Sequence, residues 1–143
     1  MRNIIIRTLL FFVFYSTLVF ADIRCEKEAD ELVTNAQNWD QMLMFFNKYS
    51  SCDDGYIAEG VSDKIVKLLG EQGFDKILDI TKKNPQIIDF IVRHIDETTD
   101  YDELRKVYNQ AKDHCPKTMV KTCNLICSKI DDMLKRMDLN QRT

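Results

Sequence analysis

Apolar residues along the chain recur every three to four positions with almost no strict alternation, a period that predicts helices rather than strands. The first stripe is short, with Ala29, Leu32, Val33 and Ala36 inside residues 26–36. The second, over 39–49, carries Met42, Leu43, Phe45, Phe46 and Tyr49, and Asn38 followed by Gln41 supplies a capping box at its start. The third runs over 54–69 with Ile57, Val61, Ile65, Leu68 and Leu69, and Gly70 and Gly73 stop it. Residues 74–83 make a short helix, after which Asn84 and Pro85 read as N-cap and first-turn proline of a helix over 86–97 that buries Ile88, Ile91, Val92 and Ile95. Asp100 with Glu103 opens a helix over 101–114 with Leu104, Val107, Tyr108 and Ala111 inward. The last and longest, over 117–137, places Val120, Cys123, Cys127, Ile130, Leu134 and Met137 on one stripe. About seven helices joined by short turns predict an all-α fold with antiparallel neighbours.

A short motif recurs within this layout: "NWDQML" at 38–43, "GFDKIL" at 73–78 and "DYDELR" at 100–105. Each places an aromatic residue at the first helical position and an aspartate at the second. The aspartate interacts favourably with the unpaired N–H groups of the first turn, contributing about 0.3 to 1 kcal/mol. The aromatic, Trp39, Phe74 or Tyr101, is expected to cover the corner of a helical hairpin. The hairpins are then 26–36 with 39–49, 54–69 with 74–83, and 86–97 with 101–114. In architecture this stacking resembles the armadillo and HEAT class of α-solenoid, with a compact helical bundle as the alternative.

The first 21 residues are of another kind. Arginines at 2 and 7, an apolar run from Leu9 to Phe20 and small Ala21 after Val19 predict a cleavable secretory signal, and the run is short for the ~20 apolar residues of a membrane span. Residues 22–143 then form one all-helical domain, secreted or periplasmic, with no stable membrane anchor after cleavage. Loss of Arg2 and Arg7 makes the formal charge of −3 more negative still, which disfavours nucleic acid as a partner and suits a basic protein.

An oxidising compartment makes the five cysteines disulfide candidates first. If residues 26–49 were one helix, Cys25 and Cys52 would lie about 36 Å apart. With the chain folded back at "NAQN", both sit at the open end of the first hairpin, and a Cys25–Cys52 bond clamps it. Cys123 and Cys127, one turn apart on a helix, do not suit each other. Cys115, at the end of the preceding helix, is brought back near 120–123, so Cys115–Cys123 is preferred and Cys127 is left as a core-facing free thiol. Exchange of Cys123 for Cys127 remains the alternative.

Catalytic chemistry finds little support. His94 and His114 are the two histidines; His114 adjoins Cys115, but neighbours on a helix point apart, and a disulfide removes the thiolate. His114, Cys115, Cys123 and Cys127 lack the paired C-x-x-C spacing of a structural zinc site, and Met119, Met133 and Met137 continue the apolar stripe of the last helix. No catalytic residue, metal or cofactor is therefore expected. Two acidic loop-to-helix corners stand out instead, "CDDGYIAEG" and "HIDETTDYDE". Asp53, Asp54, Tyr56 and Glu59 from the first, and His94, Asp96, Glu97 and Tyr101 from the second, are the candidate binding residues, tyrosine with acid being suited to a basic partner protein.

In size, compartment and fold class the chain is similar to the small helical immunity or inhibitor proteins of the bacterial periplasm, which implies a non-enzymatic module that captures another protein. It is also similar to insect odorant-binding proteins, all-helical and secreted, which implies a carrier of a small apolar ligand. Those have six cysteines with the three-residue gap at the second and third, whereas here that gap falls between Cys123 and Cys127.

Overall fold

The computed structural model describes residues 24–96 and 98–140, with side chains through Met137. The expected signal segment and Glu97 lie outside the described residues. Seven α-helices follow one another: α1 over 24–35, α2 Trp39–Tyr49, α3 Gly55–Gln72, α4 Asp75–Lys83, α5 Ile87–Arg93, α6 Tyr101–Asp113 and α7 Val120–Asn140. Single 3₁₀ turns, Ser50–Cys52 and Lys117–Met119, lead into the α2–α3 and α6–α7 corners.

Capping explains most of the starts. Asn38 Oδ1 accepts from the Gln41 N–H, and Gln41 reaches back with Oε1 to the Gln37 N–H, 2.7 Å away, one residue before the cap. Asp100 Oδ1 accepts from both the Asp102 and Glu103 N–H groups, while the Glu103 carboxylate turns away to Lys106. Trp39 and Tyr101 stand at the first helical position, as the motif predicts. Phe74 sits one place earlier, because Gly73 at φ +66° turns the chain and leaves Phe74 as the cap of α4. Trp39 and Phe74 are buried and Tyr101 is half-buried, so the recurring aromatic is a packing element.

Two helix boundaries differ from the sequence expectation. Asn84 is not the cap of α5: its N–H makes the last helical bond of α4, to Ile80 O, and the chain needs a turn through Pro85 and Gln86 before α5 begins. At the other end α5 stops at Arg93 rather than reaching residue 97, because the His94 ring is bonded on both sides to other elements and the Ile95 N–H turns to the Val92 carbonyl, three residues back, at 3.4 Å. The stripe of α7 is also rotated. Met119, Cys123, Ile126, Ile130 and Met133 face the core, whereas Val120 is exposed and Cys127 and Leu134 are half-buried.

The buried side chains of all seven helices form one cluster. Within it α6 packs along α7 and α3 along α6, and α2, α4 and α5 pack on one another. The α3–α6 crossing joins elements distant in sequence and is close: a Cβ at Gly70 would stand 3.3 Å from the Lys106 Cβ. Two disulfides brace the ends. Cys25 is bonded to Cys52 across the α1–α2 hairpin, where Glu28 also accepts from the Tyr49 hydroxyl at 3.0 Å, and Cys115 is bonded to Cys123 across the α6–α7 corner. Cys127 is free. Such bonds suit an oxidising compartment. Among the described residues no helix is long and apolar enough to cross a membrane.

Candidate functional site

The Cys25–Cys52 bond fixes the residue just before Asp53, and the turn that follows folds that carboxylate inward. The Asp53 side chain is 3% exposed, and its Oδ2 pairs with Arg93 Nη2 at 2.8 Å and His94 Nε2 at 2.9 Å. Oδ1 of the same carboxylate is buried without a hydrogen-bond partner. On the far side of the imidazole, Nδ1 lies 3.1 Å from Ser62 Oγ, and that hydroxyl is 2.8 Å from Asp96 Oδ2. Asp96 Oδ1 in turn accepts from the backbone N–H and the hydroxyl of Thr98, closing an Asx-type turn between α5 and α6.

The two acidic corners, some forty residues apart in sequence, thus meet through one buried polar chain. Asp53, His94 and Asp96 of the expected residues belong to it. Asp54 does a separate job, capping α3 with Oδ1 2.7 Å from the Gly55 N–H. Tyr56 and Glu59 point to solvent from the first turns of α3, and the Tyr101 ring lies under the Arg105 guanidinium at 5.6 Å. Glu97 cannot be placed relative to them, lying outside the described residues.

Ser62 and Thr98 were not expected, and Arg93 stood outside the expected binding residues. Ser62 carried a signal: it stands beside Val61 and one turn before Val66 at an inward position of α3, where a polar side chain requires a partner. Arg93 lies over the Phe90 ring at 5.6 Å while reaching Asp53, and the same ring meets His94 in a T-shaped contact at 4.6 Å. Lys129 of α7 completes the surroundings by donating to Val92 O at 2.7 Å, capping the carbonyl end of α5.

The electrostatics divide into a buried and an exposed part. Burial holds the His94 ring below the ordinary histidine range, against the pull of Asp53 and Asp96. Asp96 is held below the usual carboxylate value: burial opposes this, but the bonds from Thr98 and Ser62 outweigh it. Outside the chain, exposed Asp63 is pushed up, first by partial burial and then by Asp96, Glu59 and Asp100 close by. Four carboxylates from α3 and the α5–α6 corner therefore share one face.

The chain matches no family model, no curated protein and no solved structure.

An Asp–His–Ser series invites comparison with acyl-transfer triads, but the geometry runs differently. Ser62 is 1% exposed, and its hydroxyl lies between His94 and Asp96, so it presents no face to a substrate. Among the described residues no group of three His, Cys, Asp or Glu side chains is placed to hold a metal ion. Among the described residues several clefts are partly open to solvent. One, of about 350 Å³, lies between the start of α2 and α4 and is lined by Trp39, Leu43, Ile80 and the polar Asn38, Lys76 and Asp79.

Proposed function

We propose that the chain is a non-enzymatic module of the secreted or periplasmic space that binds a basic protein through the face formed by Glu59, Asp63, Asp96 and Asp100. The observation that carries this reading is the crowding of those four carboxylates: Asp63, raised first by partial burial, is raised further by Asp96, Glu59 and Asp100. A cationic side chain arriving there relieves carboxylate repulsion that the folded chain otherwise sustains. Such complementarity contributes chiefly to association rate and to rejection of acidic partners. The exposed ring of Tyr56, 59% accessible, stands on the same first turns of α3 as Glu59 and offers the apolar contact that such interfaces use at their centre. Resemblance in size and fold class to periplasmic immunity and inhibitor proteins points the same way.

Pull-down from the native secretome or periplasm, with wild type beside a Glu59→Lys/Asp63→Lys/Asp100→Lys variant, tests the reading. A stoichiometric basic protein retained by wild type, lost on the variant and weakened by added salt is the expected result. Recovery of no such protein, together with a co-purified apolar ligand, would instead support the carrier reading and overturn this one.

A further inference from the structure

The hydrogen count of the buried chain does not close at neutral pH. Three contacts link four groups: Asp53 Oδ2 to His94 Nε2 at 2.9 Å, His94 Nδ1 to Ser62 Oγ at 3.1 Å, and Ser62 Oγ to Asp96 Oδ2 at 2.8 Å. Each contact needs one hydrogen between its two heavy atoms. Two ionised carboxylates supply none, a neutral imidazole supplies one, and the serine hydroxyl supplies one. With two hydrogens for three contacts, Ser62 must choose between His94 and Asp96, or the ring must turn a bare lone pair toward Asp53. The observed geometry satisfies all three at once only when one more proton is present.

We propose that Asp53, His94, Ser62 and Asp96 form a proton-operated clasp, in which uptake of one solvent proton by His94 supplies the third hydrogen bond and fastens the α5–α6 corner to α3. In the protonated state Nε2–H donates to Asp53, Nδ1–H donates to Ser62, and the Ser62 hydroxyl is free to donate to Asp96. In the neutral state Ser62 turns to Nδ1, and the Asp96 carboxylate loses its tether to α3 while keeping Thr98.

The charges around the ring set where this happens. Asp53 from the turn before α3 and Asp96 from the corner favour the proton. Burial, with the Phe90 ring against the imidazole, opposes it most, and Arg93 on the same helix end opposes it as well. From the remaining elements, Asp63 of α3 lies beside Asp96, and Lys129 of α7 sits over the Val92 and Arg93 carbonyls within the field of Asp96. The clasp therefore closes on acidification below the ordinary histidine range. It concerns the folded chain alone and stands whether or not the acidic face is the one that binds a partner.

Asp96→Asn separates this from a merely structural network. An amide nitrogen in place of Oδ2 donates to Ser62, Ser62 donates to Nδ1, and Nε2–H donates to Asp53. All three contacts are then satisfied without an added proton, and the amide oxygen still serves Thr98. The readout is amide exchange at Thr98 and Thr99, whose N–H groups bond to Asp96 side-chain and backbone oxygens. Exchange is corrected for its intrinsic pH dependence and followed beside the His94 ring shifts by NMR from about pH 7.5 to about pH 4.5.

Expected is a rise in protection of about tenfold in wild type, the scale of one charge-assisted hydrogen bond, with the same midpoint as the ring, and a flat profile in Asp96→Asn. Wild-type protection that is unchanged across the ring titration overturns the clasp. So does an equal rise in Asp96→Asn, or a ring that stays neutral throughout the range.

Discussion

Removing the disulfides one at a time should separate their contributions by loop length. The Cys25–Cys52 bond closes a sequence separation of 27 and the Cys115–Cys123 bond one of 8. In the chain-entropy description these loops correspond to about 3.5 and about 2.5 kcal/mol at 25 °C, so Cys25→Ala/Cys52→Ala should lose about 1 kcal/mol more than Cys115→Ala/Cys123→Ala. Cys52 and Cys123 are both buried, at 7% and 2% exposure, so the lost sulfur packing is similar in the two variants and largely cancels in the comparison.

Local geometry widens the difference. Helix α1 is terminal among the described helices and is held by Ala29, Val33 and the Glu28–Tyr49 bond, whereas the α6–α7 corner is also held by the packing of α6 along α7. Urea unfolding gives the two midpoints and slopes, and amide exchange over 24–35 reports the docking of α1. Equal losses in the two variants, or a larger loss from the short loop, would refute the loop-length reasoning. Preserved exchange protection in α1 without its clamp would refute the docking part.

Three further outcomes follow from side chains already placed. Folded His94 releases its proton below the 6.5 of an exposed ring, so between those values the unfolded chain binds more protons and stability falls as pH drops through 6.5. His94→Gln should flatten that part of a urea-midpoint profile. This global effect runs opposite to the local tightening of the clasp, because the reference is the unfolded chain rather than an opened corner. Gly70→Val drives branched carbons into Lys106 and should cost about 2 kcal/mol in denaturant unfolding, and a change under about 0.5 kcal/mol would contradict the close α3–α6 crossing. Burial pushes the Cys127 thiol up, so iodoacetamide should modify it at least about tenfold more slowly in the folded protein than in urea, as read by intact mass.

What the sequence disclosed was set by local physics, and what it withheld depended on distance. Helix number, the caps at Asn38 and Asp100 and the folding back of the first hairpin all rest on neighbours within a turn or two. The end of α5 does not: a helix pattern continues past Arg93, and contacts of the His94 ring with Asp53 and Ser62 stop it. The inward face of α7 was ambiguous for a related reason. Its apolar residues span more than one stripe, and the position of α6 decides that Ile126 goes in and Val120 out. At the candidate site, both acidic corners were visible as composition. Their meeting was not, since Asp53 and Asp54 are equivalent in sequence, yet one becomes a buried ion-pair partner and the other an exposed cap.

The close crossing of α3 and α6 has a consequence for how such a chain can change over generations. An array in which every hairpin touches only the next can gain or lose one hairpin by duplication or deletion and remain folded. Here α3 is covered by a helix of the next hairpin in the expected scheme, and the fit is particular to its side chains, with Gly70 pressed against Lys106. Deleting the hairpin that contains α6 uncovers the Gly70 side of α3, and inserting another between them pulls the crossing apart. The echoes of a repeated motif therefore persist in a fold whose neighbouring hairpins meet through side chains that the motif does not repeat, so a hairpin gained or lost there must bring its own matching surface.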